Sequence, residues 1–208
     1  MYCSQCGEKA SGSFCSSCGA RLSPPDTGPV SPRDWEEEGR YQVLLHFPEV
    51  RALLAQHAAQ SRKGISGEQF LEFCDMAFVP LVGVSLSTVA SLVVPIYSRL
   101  GIRTGKSRRE VLPAPIGKTL VGALCSLARH GRPLKQVHQG EDGCVLEAVL
   151  PSDLWSWEGE LVVAVQRDRA GTQVEAATKI PGQLFDWGKS KKCLNQLFED
   201  LAALSSTA

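Results

Sequence analysis

The chain lacks most of what usually advertises a chemistry. Its 22 Lys and Arg are matched by 22 Asp and Glu, so the formal net charge is zero and no global basic excess marks a nucleic-acid binder. Aromatic residues make up 7% of the chain, and the most basic stretch, Arg99 to Lys135, contains none, with Tyr97 just before it. A stacking platform for single strands is therefore not supported. The four histidines, His46, His57, His130 and His138, show no paired metal spacing, and His57 sits on an apolar helical face as a core histidine would. No Ser/His/Asp set, paired-carboxylate spacing or Cys/His pair is readable, so no catalytic residue is nominated. Two stretches imitate a phosphate loop and miss its length. Gly101 to Gly105, before Lys106-Ser107, encloses three residues, and Gly182 to Gly188, before Lys189-Ser190, encloses five, where the motif needs four. The loop works by wrapping successive backbone N–H groups around a phosphate, so these lengths set nucleotide hydrolysis aside. A secretory signal is not evident either, and a reducing cytoplasm is the expected compartment.

What the chain does have is cysteine in a telling arrangement. Cys3-Ser4-Gln5-Cys6-Gly7 and Cys15-Ser16-Ser17-Cys18-Gly19 are two matching knuckles eight residues apart. Each turn aims two thiolates at one centre, and the glycine supplies the positive φ such a turn needs. Cys3, Cys6, Cys15 and Cys18 together offer four sulfurs to one structural Zn²⁺. A segment of this size cannot bury a core, whereas structural zinc supplies roughly 10–16 kcal/mol of apparent folding free energy in comparable peptides. With all four positions taken by sulfur, the metal has no open site for water and is architectural. Residues 1–22 resemble the short zinc-ribbon module found at the N-terminus of many bacterial and archaeal proteins. That resemblance implies a metal-held knob, usually an adaptor and sometimes a nucleic-acid binder. The other cysteines, Cys74, Cys125, Cys144 and Cys193, are scattered singly in apolar contexts and read as buried small hydrophobes.

Residues 23–34 have linker character, with four prolines between Ser23 and Pro32 favouring an extended tether. A helical segment is expected over 35–112. Pro48 suits a first helical position ahead of Val50, Leu53, Leu54 and His57, and Ser66-Gly67-Glu68-Gln69 reads as a capping box ahead of Phe70, Phe73, Cys74 and Ala77. From Met76 to Ser98 no residue is charged, a length near the ~20 residues a bilayer span needs. Pro80 and Pro95 interrupt it, Ser85, Ser87, Thr88 and Ser91 give it a polar stripe, and a buried helix or helical hairpin is the expectation, with a membrane-associated element as the alternative. Arg99, Arg103, Lys106, Arg108 and Arg109 follow as a candidate anion-binding cluster, which also suits anionic lipid. Lys118, Arg129, Arg132 and Lys135 continue it, and the plainer reading of all these is a solvated face.

Residues 113–208 read as an α+β domain. A helix opens at Pro115-Ile116-Gly117-Lys118 and closes at His130-Gly131. Four strand-like runs follow in meander order, at Leu134–Gln139, Cys144–Leu150, Glu160–Arg167 and Thr172–Ile180, before a final amphipathic helix carrying Cys193, Leu194, Leu197, Phe198, Leu201 and Leu204. From Ile116 to Leu204, including Phe185-Asp186-Trp187-Gly188 before the closing helix, the pattern resembles an uncharacterised bacterial domain. That resemblance implies a helix, strand meander and closing helix, and no chemistry. Trp155, Trp157, Phe185, Asp186, Trp187 and Lys189 cluster at the predicted strand ends. They are read either as the rim of a ligand or partner site or as structural, with Asp186 capping the last helix and the tryptophans plugging the sheet.

The expected fold class is thus α+β: a small zinc ribbon, a proline-rich linker, a helical segment, and a four-stranded antiparallel meander flanked by helices. The expected role is a non-catalytic zinc-ribbon adaptor whose body binds a protein or small ligand. A membrane-associated protein with residues 76–98 embedded and a nucleic-acid binder are the rival readings.

Overall fold

The computed structural model describes residues 34–61, 64–79, 106–140, 142–152, 157–180 and 188–205. The expected ribbon over 1–22, all of the expected linker 23–34 but Asp34, and all of the expected 76–98 run after Val79 lie outside the described residues. Two compact units divide the chain, Met1–Asp34 and Trp35–Ala208, and every element below belongs to the second.

Helix α1 (Tyr41–Leu44) is a single turn, and α2 (Pro48–Ala59) opens on its proline as expected. Helix α3 (Gly67–Met76) carries the full capping box: Gln69 N–H donates to Ser66 Oγ at 3.1 Å, and Ser66 N–H donates to Gln69 Oε1 at 3.0 Å. The two bonds satisfy donors that a helix start leaves open. Strand β1 (Phe78–Val79) and strand β2 (Ser107–Leu112) follow, then helix α4 (Ile116–Arg129), strands β3 (Leu134–Gln139), β4 (Gly143–Leu150), β5 (Gly159–Asp168) and β6 (Gly171–Lys179), and helix α5 (Lys189–Ser205).

The sheet order is β1-β3-β4-β5-β6-β2, antiparallel throughout except for the short β1–β3 pair. The expected meander β3 to β6 is therefore the centre of a larger sheet, and the four-strand expectation falls short. Strand β2 falls within the expected helical segment 35–112, yet it pairs with β6 from Ser107↔Ala177 to Leu112↔Thr172. Its Arg108, Arg109 and Glu110 suit an edge strand, where charge deters further pairing, and such residues look like solvated surface in sequence.

One face of the sheet, with Leu146, Leu150, Leu161, Val163, Val165 and Val174 almost wholly buried, joins the helices in one apolar cluster. Helix α4 lies at its centre and buries residues all round, the pattern of a core helix. Its second residue must be glycine: a Cβ on Gly117 would stand 2.0 Å from the carbonyl oxygen of Trp35. Cys74, Cys125, Cys144 and Cys193 are in no disulfide and are all buried, as expected. Burial pushes the Cys74 and Cys125 thiols up to about 12 and that of Cys144 higher still, so these three are inert at neutral pH. Among the described residues no helix is long and apolar enough to cross a membrane, and no cluster of His, Cys, Asp and Glu is able to hold a metal.

Candidate functional site

Of the residues expected at the strand ends, Trp155, Phe185, Asp186 and Trp187 lie outside the described residues, while Trp157 and Lys189 are brought together. Lys189 opens α5, and its Nζ donates to the carbonyl oxygens of Pro151 at 2.7 Å and Trp157 at 3.0 Å. One ammonium thus ties the end of β4 and the approach to β5 to the last helix. Trp157 is 66% exposed, so it does not plug the sheet.

Three residues of the expected basic cluster, Lys106, Arg108 and Arg109, lie among the described residues. Arg99 and Arg103 lie outside the described residues, and Lys106 stands exposed just before β2, its carbonyl accepting from Thr178 N–H at 2.9 Å. Arg108 and Arg109 are strand neighbours, so their side chains leave on opposite faces. Arg108 lies 4.6 Å from the centroid of the Phe198 ring and donates to Glu110 at 2.7 Å. Arg109 donates from Nε to Glu175 at 3.0 Å. Each guanidinium has a carboxylate of its own, and the two do not converge on a shared anion.

A different set of cations converges beside Lys189. A cavity of about 250 Å³ opens between the end of α4, the end of β4 and the first turns of α5. His130, Arg132, Lys189, Lys192 and Gln196 form its polar lining, and Leu150, Pro151 and Cys193 its apolar side. No carboxylate lines it among the described residues.

The way α4 stops puts Arg132 there. Gly131 takes φ +58°, its N–H donates to Ala128 O at 3.1 Å, and Arg132 N–H donates to Leu127 O at 2.9 Å. This is the two-bond cap that ends many helices, and the residue after its glycine commonly packs an apolar side chain back on the helix. Here that residue is an arginine, only 5% exposed. Its Nη2 donates to Gln196 Oε1 at 2.6 Å, and its Nη1 has no acceptor among the described residues. Arginines this deeply buried are almost always paired with an anion, yet among the described residues Arg132 is bonded only to a neutral amide. Burial lowers its pKa, although a guanidinium keeps its proton at any pH a folded protein meets.

On the other side of His130 the charges balance. Asp200 of α5 accepts from Ser126 Oγ at 2.7 Å, Arg129 Nη1 at 2.8 Å and His130 Nε2 at 3.0 Å. Arg129 Nη2 also donates to His57 Nδ1 at 3.1 Å. Burial pushes the Asp200 carboxyl up, but the hydrogen bonds from His130 and Ser126 and the charges of His130 and Arg129 outweigh it and hold it below the usual range. His57 is lowered too, first by burial and then by the Arg129 charge, which fits a neutral ring accepting at Nδ1. A cavity of about 220 Å³ lies against His57, Ser126, Arg129 and Asp200. Ser126 and His130 both donate to the carboxylate rather than one to the other, so the only base on the hydroxyl among the described residues is a carboxylate of lowered pKa, a weak one.

Neither cluster was assembled from sequence. Arg129 and Arg132 figured there as members of a solvated basic face, and Asp200 and Ser126 not at all. The one available signal was a charged residue directly after the helix-ending Gly131. No family model matches the chain, and no curated protein matches it. Among solved structures it is similar to "Crystal structure of Ara h 8.0201", at 8% identity over 50% of this chain and 98% of that one, with a TM-score of 0.31. So distant a likeness carries no argument.

Proposed function

We propose that the chain is a zinc-ribbon binding protein whose body holds a small ligand or protein partner without transforming it. The ribbon is the part read from Cys3, Cys6, Cys15 and Cys18. The observation that favours a binding role for the body is the cavity beside Lys189, where buried Arg132 and two lysines meet with no carboxylate among the described residues. Its lining combines charge and an apolar wall, the usual make-up of a ligand site, although at about 250 Å³ it is smaller than a typical drug-sized pocket. The reading is non-catalytic because His130, the one candidate base in the described lining, is engaged by Asp200, which also takes the Ser126 hydroxyl of the neighbouring cluster.

Native mass spectrometry of the full chain, purified without added metal, tests this. One zinc per chain is expected, lost in a Cys6→Ser/Cys15→Ser variant, together with a bound small molecule whose mass stays constant on incubation. A chain with reduced thiols and no zinc would contradict the ribbon, and a bound mass that changes with time would contradict a non-catalytic body. Recovery only with detergent would favour the membrane-associated reading instead.

A further inference from the structure

We infer that the cavity between the end of α4 and the start of α5 is an oxyanion site, built for the phosphate group of a small phosphorylated molecule and organised around Arg132. The inference rests on the binding role proposed above and names the ligand class. Arg132 is a buried guanidinium with one neutral partner, Gln196, and a second nitrogen without an acceptor among the described residues. A charge left so exposed to a low-dielectric surrounding is costly, and an anion entering the cavity relieves that cost. Asp200, whose charge acts on it, is already engaged by Ser126, Arg129 and His130. Lys192, exposed and one turn before Gln196, and Lys189, anchored on the Pro151 and Trp157 carbonyls, add positive charge around the same opening.

Charge and size both favour a phosphate over a simple carboxylate. Arg132, Lys189 and Lys192 carry three fixed positive charges, which suit a dianion better than a monoanion. A volume of about 250 Å³ exceeds what the phosphate itself fills, and Leu150, Pro151 and Cys193 give the remainder an apolar wall. The ligand is therefore a phosphate monoester with a short organic body.

The test uses the full zinc-loaded chain and calorimetric titration with phenyl phosphate, inorganic phosphate, benzoate and phenol at one fixed ionic strength. Saturable binding is expected in the order phenyl phosphate, inorganic phosphate, benzoate, with phenol not binding. Arg132→Gln should weaken phenyl phosphate at least tenfold, and Lys192→Ala several-fold. Lys118→Ala, outside the cavity, should leave it unchanged. Lys192 is on the surface, so its variant keeps the test decisive if Arg132→Gln does not fold. Phenol binding as well as phenyl phosphate would overturn the oxyanion site and leave a ligand-binding body in place. Absence of binding by either phosphate, or binding indifferent to both substitutions, would also overturn the inference. Hydrolysis of phenyl phosphate during the titration would instead overturn the non-catalytic reading while the oxyanion site stood.

Discussion

Two polar clusters flank His130, and they are built on opposite principles. Around Asp200, one carboxylate collects donors from Ser126, Arg129 and His130, and the cluster's charges have partners inside it. Around Arg132, a buried guanidinium, two lysines and an amide meet with no acid among the described residues. The first arrangement locks α5 to α4 through paired charges, with only the Nε of Arg129 lacking an acceptor among the described residues. The second, among the described residues, leaves Arg132 Nη1 without an acceptor. A buried polar cluster that balances its own charge is a structural joint, whereas one that does not implies an outside partner.

Breaking the balanced cluster should have the largest effect. Asp200→Ala leaves the Arg129 guanidinium and the Ser126 and His130 donors without their acceptor, and a loss of about 2–3 kcal/mol of stability is expected in urea unfolding. Asn at the same position should recover part of it through its side-chain oxygen. Acid acts in the same direction. Asp200 has its pKa lowered by folding, so its contribution is complete above the ordinary carboxylate value of 3.8 and is lost as pH falls through the lower folded value. A wild-type melting temperature that falls in this range, and an Asp200→Asn melting temperature that falls less, would bear this out.

Next in size is the cap that delivers Arg132. Gly131 at φ +58° is in the left-handed region, and Gly131→Ala should cost ~1 kcal/mol through strain at that one residue. Phosphate affinity should fall with it, because the cap positions the Arg132 backbone. A smaller stability change of opposite sign is expected for Arg132→Met. Removing a buried charge that bonds no carboxylate among the described residues should leave the fold within about 1 kcal/mol of wild type, on the stabilising side. The mildest effect belongs to His57. Its pKa is lowered from 6.5 by folding, so as pH drops below that value the unfolded chain takes up a proton that the folded one resists, and stability declines gently. His57→Gln should remove this upper step and leave the Asp200 step at lower pH.

The two clusters also differ from the rest of the fold in how far sequence foretells them. The capping box of α3, the proline start of α2, the glycine end of α4 and the meander β3 to β6 are local patterns, and each is present. Strand β2 was missed because its residues are charged on both faces, and its evidence is a long-range partner, Thr172–Ala177 of β6. The clusters are harder still. Ser126, Arg129 and His130 meet an aspartate on α5, and Arg132 meets Gln196 of the same helix, and no spacing rule links such distant segments. What sequence does offer is the oddity at 131–132, a helix-ending glycine followed by a charge where an apolar residue commonly packs. The basic run around Arg108 and Arg109 is the more conspicuous feature of the sequence, and alternation along β2 puts those two side chains on opposite faces.

The most direct test of this contrast is equilibrium urea unfolding of wild type and Arg132→Met, each with and without inorganic phosphate at matched ionic strength. The account predicts that Arg132→Met is at least as stable as wild type without phosphate, and that phosphate stabilises wild type alone, as ligand linkage requires. A variant clearly less stable without phosphate, with both proteins responding equally to it, would make Arg132 a structural joint like Asp200 and contradict the account.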